Sequence, residues 1–122
     1  MAISINELIG KRDEIKAKKN NLYELETSIG DIVARVPSSQ IIADAWDMSD
    51  NMEGNQLLIL ECVVSPNLKD RELQKAYECV EPIDIVPALF QSGEISRIAS
   101  ALLKLAGFTG DIKSKLYKET KN

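Results

Sequence analysis

The stretch Gln56-Leu57-Leu58-Ile59-Leu60-Glu61-Cys62-Val63-Val64 decides the fold class of this 122-residue chain. It is apolar nearly all round, a pattern that suits either a buried helix or a buried strand. We predict a helix over residues 51–64, because that length exceeds a typical strand. On this interpretation the chain is helical from Pro37 onward and the domain is mainly α.

The residues that follow this run alternate between breaks and short helices. Pro66 disfavours helical backbone at the residue before it and so ends the run. The pattern then predicts a helix over 70–77, and another that opens at Pro82 and is short or kinked because of Pro87. The residues predicted to face inward are Leu68, Leu73, Ala76, Tyr77, Ile85, Val86, Leu89 and Phe90.

The C-terminal part shows the clearest helical periodicity of the chain. Apolar residues recur at helical spacing over 94–106, and Gly107 supplies a stop. The apolar positions of this helix are Ile95, Ile98, Ala99, Leu102 and Ala106. A last helix, capped by Thr109 or Asp111, is predicted to carry three apolar residues among lysines. These residues are Ile112, Leu116 and Tyr117.

Between residues 22 and 36 the sequence pattern is typical of β-strands. Runs over 23–27 and 32–36 alternate between two faces about Gly30-Asp31, which predicts a β-hairpin with a tight turn there, half-buried on one face. Pro37-Ser38-Ser39 then starts a helix. One side of that helix carries Ile41, Ile42, Ala45 and Trp46. Trp46, the sole tryptophan, is a candidate interface anchor, but core packing is the favoured prediction.

The first twenty residues predict an amphipathic helix. Ser4-Ile5-Asn6-Glu7 has the form of a capping box, and the helix should end near Asn20-Asn21. Its apolar stripe consists of Ile5, Leu8, Ile9 and Ile15. This stripe either packs on its own domain or receives a partner, and these four residues are our candidate protein-interaction site.

Composition argues against catalysis. The chain has no histidine, which removes the commonest general base and the commonest transition-metal ligand. Its two cysteines, Cys62 and Cys79, cannot assemble a zinc site and are predicted to be buried thiols, not a disulfide. We therefore predict that the protein is not an enzyme, with no catalytic residue, no metal site and no cofactor.

Charge is distributed unevenly along the chain, whose net charge is −4. Residues 36–95 hold 11 acidic and 3 basic side chains, whereas residues 96–122 hold 2 acidic and 6 basic ones. An acidic middle disfavours nucleic-acid binding, which needs a clustered basic face. The start of the chain lacks a signal-peptide pattern, and no apolar run is long enough to span a bilayer. We expect a cytoplasmic protein.

A specific resemblance begins in the central run. The segments that carry it are Leu60-Glu61-Cys62-Val63-Val64-Ser65-Pro66-Asn67-Leu68-Lys69-Asp70, Glu72-Leu73-Gln74-Lys75-Ala76-Tyr77, Glu81-Pro82-Ile83-Asp84-Ile85-Val86, Leu89-Phe90, Gly93-Glu94-Ile95 and Val36-Pro37-Ser38. Together they resemble the XkdN-like family of tail assembly chaperones, found in contractile-tailed phages and prophages. The resemblance covers roughly residues 22–107.

That resemblance implies a function without chemistry. Chaperones of this family bind the long tape measure protein and keep it soluble during tail morphogenesis, and they are absent from the finished virion. Some also occur in a frameshift-extended form, which is thought to recruit tail tube protein. The family defines no catalytic residues. We therefore expect the host bacterial cytoplasm as the location, the tape measure protein as partner, and self-association.

The sequence thus predicts one mainly α (α+β) domain: a small multi-helix domain with an N-terminal β-hairpin. Within residues 1–122, residues 1–20 are a mobile amphipathic helix that contacts a neighbouring copy or the tape measure protein. Residues 22–107 are the core, and 108–122 a basic C-terminal helix or tail. The alternative function is a small DNA-binding regulatory protein of a phage or mobile element, against which the acidic middle argues.

Overall fold

The computed structural model describes residues 2–108 and 112–117. They form seven α-helices, three strands and one turn of 3-10 helix at Pro82–Asp84. The helices are α1 (Ile5–Gly10), α2 (Arg12–Asn20), α3 (Ser39–Trp46), α4 (Asn51–Cys62), α5 (Arg71–Ala76), α6 (Ile85–Leu89) and α7 (Ser92–Leu105). The strands are β1 (Leu22–Thr27), β2 (Gly30–Arg35) and β3 (Val63–Ser65). The predicted α+β class with an N-terminal hairpin is confirmed.

Helix α4 lies at the centre of the domain. It packs against α3, α6 and α7 and carries a block of fully buried side chains. These are Leu58, Ile59, Leu60 and Cys62. The helix predicted over 51–64 is therefore confirmed, and its apolar character on all sides is explained by neighbours on several faces.

The predicted helix is two residues too long at its C-terminal end. Val63–Ser65 leave the helix and form β3, which pairs antiparallel with β2. Val63 adopts extended backbone, with φ −74° and ψ 118°. Two β-branched residues directly before Ser65-Pro66 favour this change, because both valine and a residue preceding proline prefer extended backbone.

The hairpin forms as predicted, but its turn lies two residues earlier. Thr27 pairs with Gly30, so Ser28 and Ile29 are the central turn residues in place of Gly30-Asp31. Gly30 has φ +123°, which only glycine adopts at low cost. Ile32 and Ala34 of β2 are buried and place the hairpin against the helices.

A carboxylate from α7 fixes this turn. Glu94 Oε2 accepts a hydrogen bond from the Ser28 backbone N–H at 2.8 Å, and the Ser28 hydroxyl donates to Glu94 Oε1. Ser28 is 66 residues from Glu94 in sequence, so these two bonds tie the hairpin to the C-terminal helix. They also hold the pKa of Glu94 below its usual value, because both stabilise the charged form.

Most residues predicted to face inward do so. Leu68, Ile85, Val86, Phe90, Ile95, Ile98, Ala99 and Leu102 are buried. Leu73, Leu89 and Ala106 are half-buried. The prediction is wrong for Ala76 and Tyr77, which are exposed. Helix α5 has only six residues and ends at Ala76, with Tyr77 as its C-cap, after which Glu78 takes a positive φ of 56° and turns the chain away.

Trp46 is also placed wrongly by the sequence, because its side chain is 61% exposed. Ile42 and Ala45 of the same helix are buried. Trp46 follows Ala45 by one residue, which rotates its side chain about 100° around the helix and out of the interface with α4.

The terminal helices differ from prediction as well. The capping box at Ser4 is present, but the single helix predicted over the first twenty residues breaks at Lys11, directly after Gly10, into α1 and α2. The predicted last helix is wrong over 112–117, which contain no helix. Its candidate caps, Thr109 and Asp111, lie outside the described residues. Short helices depend on packing for their stability, and Ile112, Leu116 and Tyr117 are all exposed.

Both cysteines are free thiols, as predicted, with Cys62 buried and Cys79 half-buried. Burial raises the pKa of Cys62 to about 11, and the charge of Glu61 contributes in the same direction while Arg35 opposes it. Because the thiolate is the reactive form, Cys62 is inert at neutral pH.

Gly54 should tolerate no side chain. A Cβ at this position would lie 2.5 Å from the backbone oxygen of Ala45, where α3 crosses α4. Gly→Ala in a helix interior normally stabilises by about 1 kcal/mol. Here we expect Gly54→Ala to destabilise by about 1–3 kcal/mol, because the two helices must move apart. Urea unfolding measures this. Gly93→Ala is the matched control, since nothing lies within 4 Å of its Cβ position. Equal stability of the two variants would contradict the prediction.

Glu94→Gln should lower the melting temperature at neutral pH. A carboxyl group whose pKa is lowered on folding stabilises the protein above its unfolded-state pKa, and this contribution disappears as pH falls through the folded-state pKa. The difference between wild type and variant should therefore shrink as the pH decreases from about 7 to about 3. Glu72→Gln, also in the first turn of a helix, is the control for helix-dipole effects. A difference independent of pH would refute the role of the charge.

Thiol labelling of the folded chain at about pH 8 should modify Cys79 and spare Cys62, because Cys62 is both inaccessible and protonated. Denaturant should make both thiols reactive. In the Cys79→Ser variant, labelling of the folded protein should be lost; labelling there at the rate of an unfolded thiol would contradict the burial of Cys62.

Candidate protein-interaction surfaces

The four residues of the predicted interaction stripe lie together on the surface. Ile5, Leu8 and Ile9 come from α1, and Ile15 comes from α2. With Arg12 and Lys16 they line a shallow hollow of about 450 Å³. The break at Lys11 therefore does not divide the stripe, which we call the N-terminal stripe.

The N-terminal stripe has little support from the rest of the domain. No residue of α1 or α2 is buried, and Ile5 is 77% exposed. The capping box supplies local stability instead: Ser4 Oγ accepts from the Glu7 backbone N–H at 3.1 Å, and the Glu7 carboxylate accepts from the Ser4 backbone N–H at 3.4 Å. Helix α1 is thus held by local contacts, with its apolar side open to solvent.

A second surface is a groove of about 1300 Å³ that the sequence did not predict. Its lining comes from the end of α2, the start of β1, the end of β2, α3 and the C-terminal end of α7. Apolar and aromatic side chains line it, including Tyr23, Val36, Ile42, Trp46, Val64 and Phe108. We refer to it as the α2–α7 groove.

Trp46 marks this groove. Its ring meets that of Phe108 edge-on, with centroids 5.2 Å apart and an angle of 84° between the planes. Such edge-to-face pairs are favourable. The contact leaves most of the indole accessible, so the side chain assigned to the core by its pattern is instead an exposed part of the groove.

The groove was missed because its lining comes from segments far apart in sequence, from residue 15 to residue 108. None of these segments shows an interaction pattern by itself. The one available signal was Trp46, since a lone tryptophan is a common interface anchor.

The described residues hold no group of three or more Cys, Asp or Glu side chains that could bind a metal ion. Both surfaces consist mainly of apolar, lysine and arginine side chains. What this chemistry supports is binding of another polypeptide. No helix among the described residues is long and apolar enough to cross a membrane.

Comparison with known proteins gives one match. The sequence profile of the phage XkdN-like tail assembly chaperone proteins matches residues 37–121. No curated protein and no solved structure matches the chain. The matched range differs at both ends from the 22–107 of the resemblance: it leaves out the hairpin and includes residues 108–121. Because the match covers well over half of the chain, the protein belongs to the phage XkdN-like tail assembly chaperone family.

Proposed function

We propose that this protein is a non-catalytic chaperone that binds the phage tape measure protein in the host bacterial cytoplasm and keeps it soluble during tail assembly. The observation that carries the proposal is the family match over residues 37–121. In this proposal the chaperone leaves before the virion is complete, and a frameshift-extended form recruits the tail tube protein.

The exposed apolar surfaces support such a role. A chaperone for a long, aggregation-prone client must offer apolar area to that client while its own core stays closed. The N-terminal stripe and the α2–α7 groove provide that area. The buried core around α4 includes no residue of the stripe and shares Ile42 with the groove. Exposed apolar patches of this kind commonly mark protein-binding sites.

The N-terminal stripe is proposed as the contact to a neighbouring copy or to the tape measure protein. Its exposure favours this over docking on its own domain, since none of the four residues is buried. Several copies bound along one client would also bring the stripes of neighbouring copies close together.

Co-expression with the tape measure protein tests the function directly. We expect the client to be insoluble alone and to co-purify with several copies of this protein when both are expressed. Affinity capture followed by size-exclusion chromatography measures this. If the client stays insoluble while this protein elutes alone as a single species, the extended form is tested next. An insoluble client there too would refute the proposal.

Leu8→Asp with Ile9→Asp should reduce client binding or self-association at least about tenfold, because two charged groups would enter an apolar contact. Stability should change little, since both residues are exposed. The control is Ile29→Asp with Val80→Asp, which places the same charges at exposed apolar positions outside the stripe. Unchanged client binding and self-association in the stripe variant would rule out the stripe as a contact.

A further inference from the structure

The charged side chains among the described residues that line the α2–α7 groove are all basic. Four basic residues line it, Lys18, Lys19, Arg35 and Lys104, and no acidic residue is among the described residues of the lining. In the whole chain acidic side chains outnumber basic ones by 19 to 15. Neither ion pair formed between described residues involves a lysine of the groove. The groove is therefore a mainly apolar trough whose lining includes four cationic side chains, on a protein whose net charge is negative.

The geometry points to this groove as the binding site for an amphipathic helix of the client, with apolar residues on the buried side and Asp or Glu on both flanks. The inference rests on the proposed function and deepens it, because it assigns the surface that holds the client and the chemistry of the segment it takes. Apolar side chains at helical spacing on the client helix would pack into the groove, and its acidic side chains would form ion pairs with the lysines of the groove.

The volume of the groove leaves room for a short stretch of helix. An α-helix with its side chains is about 10 Å across and rises about 1.5 Å per residue, so a few turns are compatible with a groove of about 1300 Å³. Three turns present two or three apolar anchors on one side, which is the usual arrangement for a helix bound in a groove. Trp46 and Phe108 offer broad aromatic surface for those anchors.

Charge argues against the exposed apolar segments of this chain as occupants. Residues 5–20 carry five basic and three acidic side chains, and residues 112–117 carry Lys113 and Lys115 with no acidic residue. Both segments would bring positive charge to a positively charged lining, whether from the same chain or from a second copy. An acidic helix is the complementary partner.

Trp46 provides a direct test, because it is the sole tryptophan and lies in the groove. The full chain is titrated with a tryptophan-free amphipathic peptide of about 14 residues, with leucines at helical spacing and glutamates on the flanks. The matched peptide has lysines in place of the glutamates. We expect both the emission change and the affinity derived from it to favour the acidic peptide, with a dissociation constant at least about tenfold lower than that of the basic peptide. Added salt should weaken binding of the acidic peptide.

Two charge-reversal variants locate the interaction. Lys19→Glu with Lys104→Glu changes one lining residue from α2 and one from α7, and we expect it to bind the acidic peptide about tenfold more weakly. Arg71→Glu with Lys75→Glu makes the same charge change on α5, outside the groove, and should bind like wild type. All four residues are exposed, so both variants should fold.

Three results would overturn the inference. Equal binding of the two peptides would show that charge does not select the occupant, and unchanged Trp46 emission with both would show that the groove takes no such helix. A Trp46 emission that depends on protein concentration without peptide would show that a second copy fills the groove.

Co-expression separates this inference from the proposed function. If the tape measure protein co-purifies with wild type and the Arg71/Lys75 variant but not with the Lys19/Lys104 variant, the groove is the client site. If all three keep the client soluble, the inference fails and the chaperone function stands. If neither wild type nor its frameshift-extended form keeps the client soluble, the proposed function fails, and the peptide titration alone decides whether the groove binds an acidic helix.

Discussion

The rest of the domain depends on the burial of α4. The second half of α4 is apolar nearly all round, and such a segment is stable in water only when neighbours cover it; each fully buried Leu or Ile contributes about 1.5–3 kcal/mol. Here α3, α6 and α7 supply the cover, and Gly54 lets α3 approach to backbone contact. The short helices and proline-marked turns after β3 make this enclosure possible, because they bring Leu68, Ile85 and Phe90 back onto the same core.

Enclosing α4 separates stability from binding. The buried cluster includes residues from β2 through α7 and none from α1 or α2, so the N-terminal helices can present their apolar side without weakening the core. The α2–α7 groove is lined by the end of α2 together with residues of the body of the domain, and its three lysines are exposed. Charge changes there alter the surface that a partner meets while the packing around α4 stays intact.

The sequence pattern was sufficient to predict those elements whose formation depends mainly on their own residues. The hairpin, α3, α7 and the capping box at Ser4 all follow from periodicity and capping chemistry. The sequence failed where the outcome depends on a distant partner. Strand β3 exists because Val63–Ser65 meet β2, about thirty residues earlier, and a three-residue strand leaves almost no pattern of its own. The predicted last helix is absent over 112–117 for the opposite reason. Its amphipathic pattern has no surface to pack on there, and a short helix is not stable without packing.

The same distinction applies to the two surfaces. The N-terminal stripe is continuous in sequence and could be proposed from spacing alone, whereas the groove exists only after distant segments are brought together.

Folding also brings together basic residues that are far apart in the unevenly charged sequence. The cations of the groove come from residues 18–35 and from residue 104, while most acidic side chains belong to the segment between them. Bringing the two ends together around the end of α3 gathers positive charge in one trough and leaves the negative charge on other surfaces. Net negative charge makes free copies repel one another, and a cationic trough attracts an acidic segment. Under the proposed function, the first effect would keep free copies apart and the second would draw an acidic client segment into the groove.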